Sequence, residues 1–278
     1  MPAVQLARLR IQTTRLAESF DDPAEFARGL DSLLELYGNR AYRPGHNVSH
    51  RSRLPAYNVP PLVMQQLELQ LGMVGGADPI HCLNNIDKLW ETQILEMCEI
   101  AVFLLGEVPI DYRQDIMDRL KQWCDPALDQ VLLSLLFSTG GSTIRTAEPN
   151  TWLAFAADFL IEPDPQKVIL GLQALEPFLA ETGLDFLPRL FNMLEPLVKD
   201  PPAAVMPALH DVLLQINGIS PVETRSYLRK FLEADPTPAL LRFTRRLLPD
   251  LPADTQAALR PFLRITSPAR DADESPPG

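Results

Sequence analysis

His46 and His50, four residues apart, have a spacing that could hold a divalent metal if a helix placed both imidazoles on one face. The stretch around them, RPGHNVSH, carries Pro, Gly and Asn and lacks the glutamate of a helical zinc motif. A loop without a metal is therefore the expectation. The same segment is strongly basic. Arg40, Arg43, Arg51 and Arg53 fall within it, and no acid occurs between Glu35 and Glu68. These four arginines are the candidate binding residues. They suit either an anion or an intramolecular plug over an acidic neighbour, the second being favoured.

Other signatures are missing from the chain. No glycine-rich phosphate loop, dinucleotide fingerprint, zinc-protease motif or serine-hydrolase elbow occurs. Gly140-Gly141-Ser142-Thr143 reads as an interhelical turn, a helix stop followed by an N-cap. Cys82, Cys98 and Cys124 form no C-x-x-C pair, which fits a reducing, cytoplasmic setting. No cofactor is implied. No secretory leader and no 18-residue apolar run is present, so a soluble protein is expected.

The elements that must position these residues are helices. The chain has 278 residues, with 46 Leu against 13 Val and 13 Ile, a ratio that disfavours strands. Proline punctuates it. Asp-Pro or Ser-Pro pairs stand at Asp22, Asp78, Asp125, Asp164, Asp200, Ser220 and Asp235, each followed by apolar residues three and four apart. An Asp or Ser at an N-cap accepts an orphan amide, and Pro at the first helical position loses no bond. Each pair therefore predicts a helix start.

The last three Asp-to-Asp intervals are 39, 36 and 35 residues, each long enough for two helices. That period predicts an all-α, right-handed α-solenoid of stacked antiparallel helix pairs, since one pair cannot cover its own apolar face. Helices are expected over about 80–105 with a break near Trp90, and over 110–123, 165–181 and 184–199. Bends are expected at Pro177, Pro188, Pro196 and Pro207. One domain is expected over 1–266, with a basic insertion at 39–59 and a disordered tail at 267–278.

Charge is uneven. The net −11 comprises +2 over residues 1–60, −6 over 61–110, −7 over 111–200 and zero thereafter. The middle is the wrong sign for a phosphate groove. Arg225, Arg229 and Lys230, and then Arg242, Arg245 and Arg246, read as solvated helix faces rather than a phosphate patch.

One stretch resembles a known family. Leu89-Trp90, Glu96, Ala101, Leu104-Leu105-Gly106, then Trp123-Cys-Asp125, Asp129 and Trp152 are similar to the HEAT-like family of DNA alkylation-repair glycosylases. The resemblance spans about residues 60–200 and implies HEAT/ARM-like repeats. It also implies a site in which Trp123, Asp125 or Asp129, and Trp152 hold an alkylated base without a metal. Cys98 stands where that family carries arginine. The expected function is therefore a non-catalytic helical-repeat scaffold presenting a concave surface to a protein or peptide partner, preferably basic. The alternative is a DNA-binding, base-excising enzyme using those four residues.

Overall fold

The computed structural model describes residues 5–39, 52–181, 184–234 and 236–264. In chain order these form α1 (Leu6–Ala17), α2 (Pro23–Tyr37), α3 (Pro61–Gly75), α4 (Pro79–Trp90), α5 (Leu95–Glu107) and α6 (Arg113–Trp123). There follow α7 (Gln130–Leu135), a π-helical turn (Leu136–Gly140), α8 (Ser142–Ala147), α9 (Pro149–Leu160), α10 (Pro165–Glu181) and α11 (Leu187–Lys199). The last are α12 (Met206–Ile219), α13 (Pro221–Ala234), α14 (Pro238–Leu247) and α15 (Ala253–Arg264). The protein is all-α, with no strand among the described residues. None of its described helices is long and apolar enough to cross a membrane.

Four of the proline pairs start helices as their chemistry predicts. Asp22 accepts the amides of Ala24 and Glu25 at 3.0 and 3.1 Å, and Asp78 accepts that of His81 at 3.3 Å. Asp164 accepts Gln166 at 3.0 Å, and Ser220 accepts Glu223 at 3.4 Å. The other three differ. Pro126–Leu128 form a turn, and Asp129 caps α7 instead by accepting the Val131 amide at 2.9 Å. Pro201 precedes a second proline, which disfavours helical torsions, and α12 begins at Met206. Asp235 lies outside the described residues; α14 begins at Pro238, capped by Thr237, which is extended because it too precedes a proline. The break near Trp90 occurs over residues 91–94, where Gln93 adopts φ 52°. Pro177 and Pro196 lie inside α10 and α11, whereas Pro188 and Pro207 fall in first turns, where proline disrupts nothing.

The chain divides into two compact units, residues 1–155 and 156–278, with the boundary inside α9. In the first unit, α1 packs on α3, α3 on α5, and α5 on α7 and the π turn. In parallel with this row, α2 packs on α4, and α4 on α5. Alternate helices thus stack into adjacent layers. Its centre is α5, whose Met97, Cys98, Ile100, Ala101, Val102, Leu104 and Leu105 are all buried. Truncating such a leucine costs about 2–5 kcal/mol. In the second unit α10 packs on α12, α12 on α13, and α13 on α15. The tail expected at 267–278 lies outside the described residues, as do Thr182 and Gly183.

Candidate functional site

The first turn of a helix leaves amides without intrahelical partners, and the first of those of α5 is met by a distant segment. The Leu95 amide donates to the Pro55 carbonyl at 2.9 Å. In return, Glu96 accepts the amides of Tyr57 at 3.0 Å on Oε2 and of Asn58 at 2.6 Å on Oε1. One helix further, Asp129 spends Oδ1 on its own helix and accepts the Arg53 amide on Oδ2 at 2.8 Å. Residues 53–58 therefore form a strap across the N-terminal ends of α7 and α5. Both carboxylates are buried, at 4% and 9% exposure. A buried carboxylate is tolerated when hydrogen bonds satisfy its oxygens, and here backbone amides do so.

The far end of the strap is held by α2. The Asn39 amide donates to the Tyr57 carbonyl at 2.9 Å, and the Tyr57 hydroxyl donates to Asp31. Burial, that bond and the charge of Asp31 push the Tyr57 phenol above its ordinary range. Gly38 is required by this approach, because a Cβ there would lie 2.9 Å from the Tyr57 carbonyl oxygen. Asn58 adopts φ 55°, a conformation that asparagine tolerates better than most residues.

A run of acids lies along α3 and α5. Glu99 is pushed up to about 7 by burial first, and then by the charges of Glu96, Glu68 and Asp129. Burial also raises Glu68. A Cβ on Gly72 of α3 would come within 3.2 Å of the Phe103 ring and 3.6 Å of the Glu107 carboxyl carbon. The open side of α3 and α5 thus carries Glu68, Glu99 and Glu107 around a half-buried Phe103. Leu69 and Met73 project from α3 at 66% and 72% exposure.

The expected site residues are dispersed. Trp123 is buried and stacks on Trp90, with centroids 4.0 Å apart and planes 8° from parallel. The cavity beside the pair, about 370 Å³, is lined by Asp87, Trp90, Glu91, Asp118, Arg119, Gln122 and Trp123. Asp125, Asp129 and Trp152 do not line it. Arg119 grips Asp87 through two bonds of 2.8 and 2.6 Å, which closes one wall. Asp125 is exposed and accepts the Ala127 amide of its own turn at 2.7 Å. Trp152 is fully buried, edge-on to Phe137, with the Arg145 guanidinium 5.4 Å from its ring centroid. Arg145, also buried, donates to the Phe137 and Ser138 carbonyls of the π turn, which lie where the ordinary helical ladder is interrupted. Gly141 fits under the indole, since a Cβ there would lie 2.3 Å from it.

Of the four candidate arginines, Arg53 is described. Its side chain is exposed and its backbone makes the contact to Asp129. Arg40, Arg43 and Arg51 lie outside the described residues, as do His46 and His50. Among the described residues no group of three or more His, Cys, Asp and Glu side chains is placed to hold a metal ion. Burial pushes the thiols of Cys82, Cys98 and Cys124 up to about 12, far from a reactive thiolate. Three of the C-terminal cations are engaged within the second unit. Arg229 pairs with Glu233, Lys230 with Glu195, and Arg245 donates to the Leu263 carbonyl at 3.0 Å.

Sequence reasoning missed the strap and the Glu68–Glu99 pair. The signal for the pair was present in the acid excess over 61–110. The strap has no local signal, because it meets the Glu96 and Asp129 carboxylates through its backbone amides rather than through side chains. No protein-family model, curated protein or solved structure matches this chain.

Proposed function

We propose that the chain is a non-catalytic, HEAT-like helical-repeat protein that binds a protein or peptide partner on the open face of its stacked helices. The observation that carries this reading is the use made of Asp129 and Glu96. Each spends both carboxylate oxygens on backbone amides. Carboxylates so engaged are held in place by the protein's own backbone, each oxygen turned toward an amide rather than toward a ligand. The tryptophans that would flank an alkylated base are spent on packing, Trp123 on Trp90 and Trp152 on Gly141. The three buried free thiols suit a reducing compartment.

The test pairs two assays on the same protein. Incubation with alkylated duplex DNA is expected to release no base, while labelled peptides of graded charge are expected to bind saturably. Release of the alkylated base, blocked by Asp129→Asn, would replace this reading with the enzymatic one. Failure to bind any peptide would remove the scaffold reading.

A further inference from the structure

We infer that the open side of α3 and α5 is a docking surface for an amphipathic, basic helical segment of a partner protein. The inference rests on the binding-module reading above and adds to it the place and the ligand chemistry.

The surface has an apolar stripe and an acidic border. Leu62, Leu69 and Met73 are exposed on α3 at 39%, 66% and 72%, and their spacing of seven and four residues places them on one helical face. Exposed apolar residues are ordinary when scattered, but Leu69 and Met73, one turn apart on one helix, form a patch, with Leu62 two turns before Leu69 on the same side. Phe103 extends it onto α5, where the missing Cβ of Gly72 lets its ring lie against α3. Glu68, Glu99 and Glu107 border the stripe on the α5 side. None of the three forms an ion pair with a basic side chain among the described residues. Over residues 61–110 the sequence offers one Lys or Arg, Lys88, which pairs with Glu91 just after α4, and one histidine, His81, which pairs with Asp78. An acidic border with no cation paired to it among the described residues favours Lys and Arg from a partner and repels nucleic acid and anionic peptides. A helix presenting apolar residues at i, i+4 and i+7, flanked by basic ones, matches both features. Methionine and leucine side chains adapt to such an anchor with little strain.

The experiment measures fluorescence anisotropy with a labelled 18-residue Leu/Lys amphipathic peptide. Two comparison peptides are used, one with Glu in place of Lys and one of the same composition with the amphipathic order scrambled. Leu69→Ser with Met73→Ser, and Glu68→Gln with Glu107→Gln, test the two halves of the surface. Leu184→Ser, an exposed leucine in the second unit, controls for general loss of apolar area. The expected result is tight binding of the Leu/Lys peptide, weakened about tenfold or more by each double variant and by raising salt. Leu184→Ser should leave it unchanged. Equal binding of the scrambled or acidic peptide overturns the ligand chemistry. Binding that survives both double variants overturns the place while leaving the module reading intact. Loss of all peptide binding overturns both. Sedimentation of the free protein covers the remaining occupant: a dimer dissolved by Leu69→Ser with Met73→Ser would assign the surface to a second copy of the chain.

Discussion

Asp129 accepts the backbone amide of Arg53 at 2.8 Å across 76 residues of sequence, while its other oxygen caps the helix that it begins. The residue that introduces α7 therefore also anchors the strap. With Glu96 it ties residues 53–58 to the N-terminal ends of two neighbouring helices.

Removing that tie should cost more than removing its sequence neighbour. Asp129→Ala loses a cap and leaves the Arg53 amide without its partner, for a total of about 2–3 kcal/mol. Asp125→Ala, in an exposed turn, should cost about 0.5 kcal/mol. Urea denaturation of the two variants compares them directly. Equal costs would mean that the strap bond contributes nothing.

Glu96→Ala should release the strap with little change elsewhere. Two amides lose a buried carboxylate, for about 3 kcal/mol. Hydrogen exchange at Tyr57 and Asn58 should quicken far more than exchange along α5. Uniform quickening would show that the helix itself had failed instead.

Gly38→Ala puts a methyl group 2.9 Å from the Tyr57 carbonyl oxygen, and this is backbone that cannot swing aside. The expected destabilisation is about 1–3 kcal/mol, seen as a lower Tm. Gly218→Ala makes the contrast, because a Cβ there meets nothing within 4 Å. It should be neutral or slightly stabilising, by up to about 1 kcal/mol.

Glu99 makes stability depend on pH. Its folded pKa is raised from 4.5 to about 7, so between those values the native state holds a proton that the unfolded state has lost. The stabilisation is complete below about 4.5 and is lost as pH rises through about 7. The charges that produce the shift beyond burial are Glu96 on its own helix, Glu68 on α3 and Asp129 at the start of α7. Glu99→Gln should flatten this part of the profile and stabilise the protein at pH 8 by on the order of 2 kcal/mol. An unchanged slope between pH 5 and 8 would show that Glu99 is not its source.

The helices were legible because their causes are local. Leucine periodicity sets the buried stripe, and an aspartate or serine before proline sets the start, as at Asp22, Asp78, Asp164 and Ser220. Even the later start after Asp200 and the capping of α14 by Thr237 follow from neighbouring prolines. Burial of Trp123 and Trp152 also accords with large aromatics at helical spacing. What remained hidden depends on groups that carry no sequence identity. The choice of Asp129 over Asp125 as helix cap, and the burial of Glu96, are tied to amides donated from residues 53–58. Every residue but proline offers such an amide, so no motif marks the donor. The sequence by itself determined the helices and their apolar faces. Tertiary structure decided which carboxylates are sealed under a strap and which, like Glu107, stand exposed, because that depends on where distant backbone comes to rest.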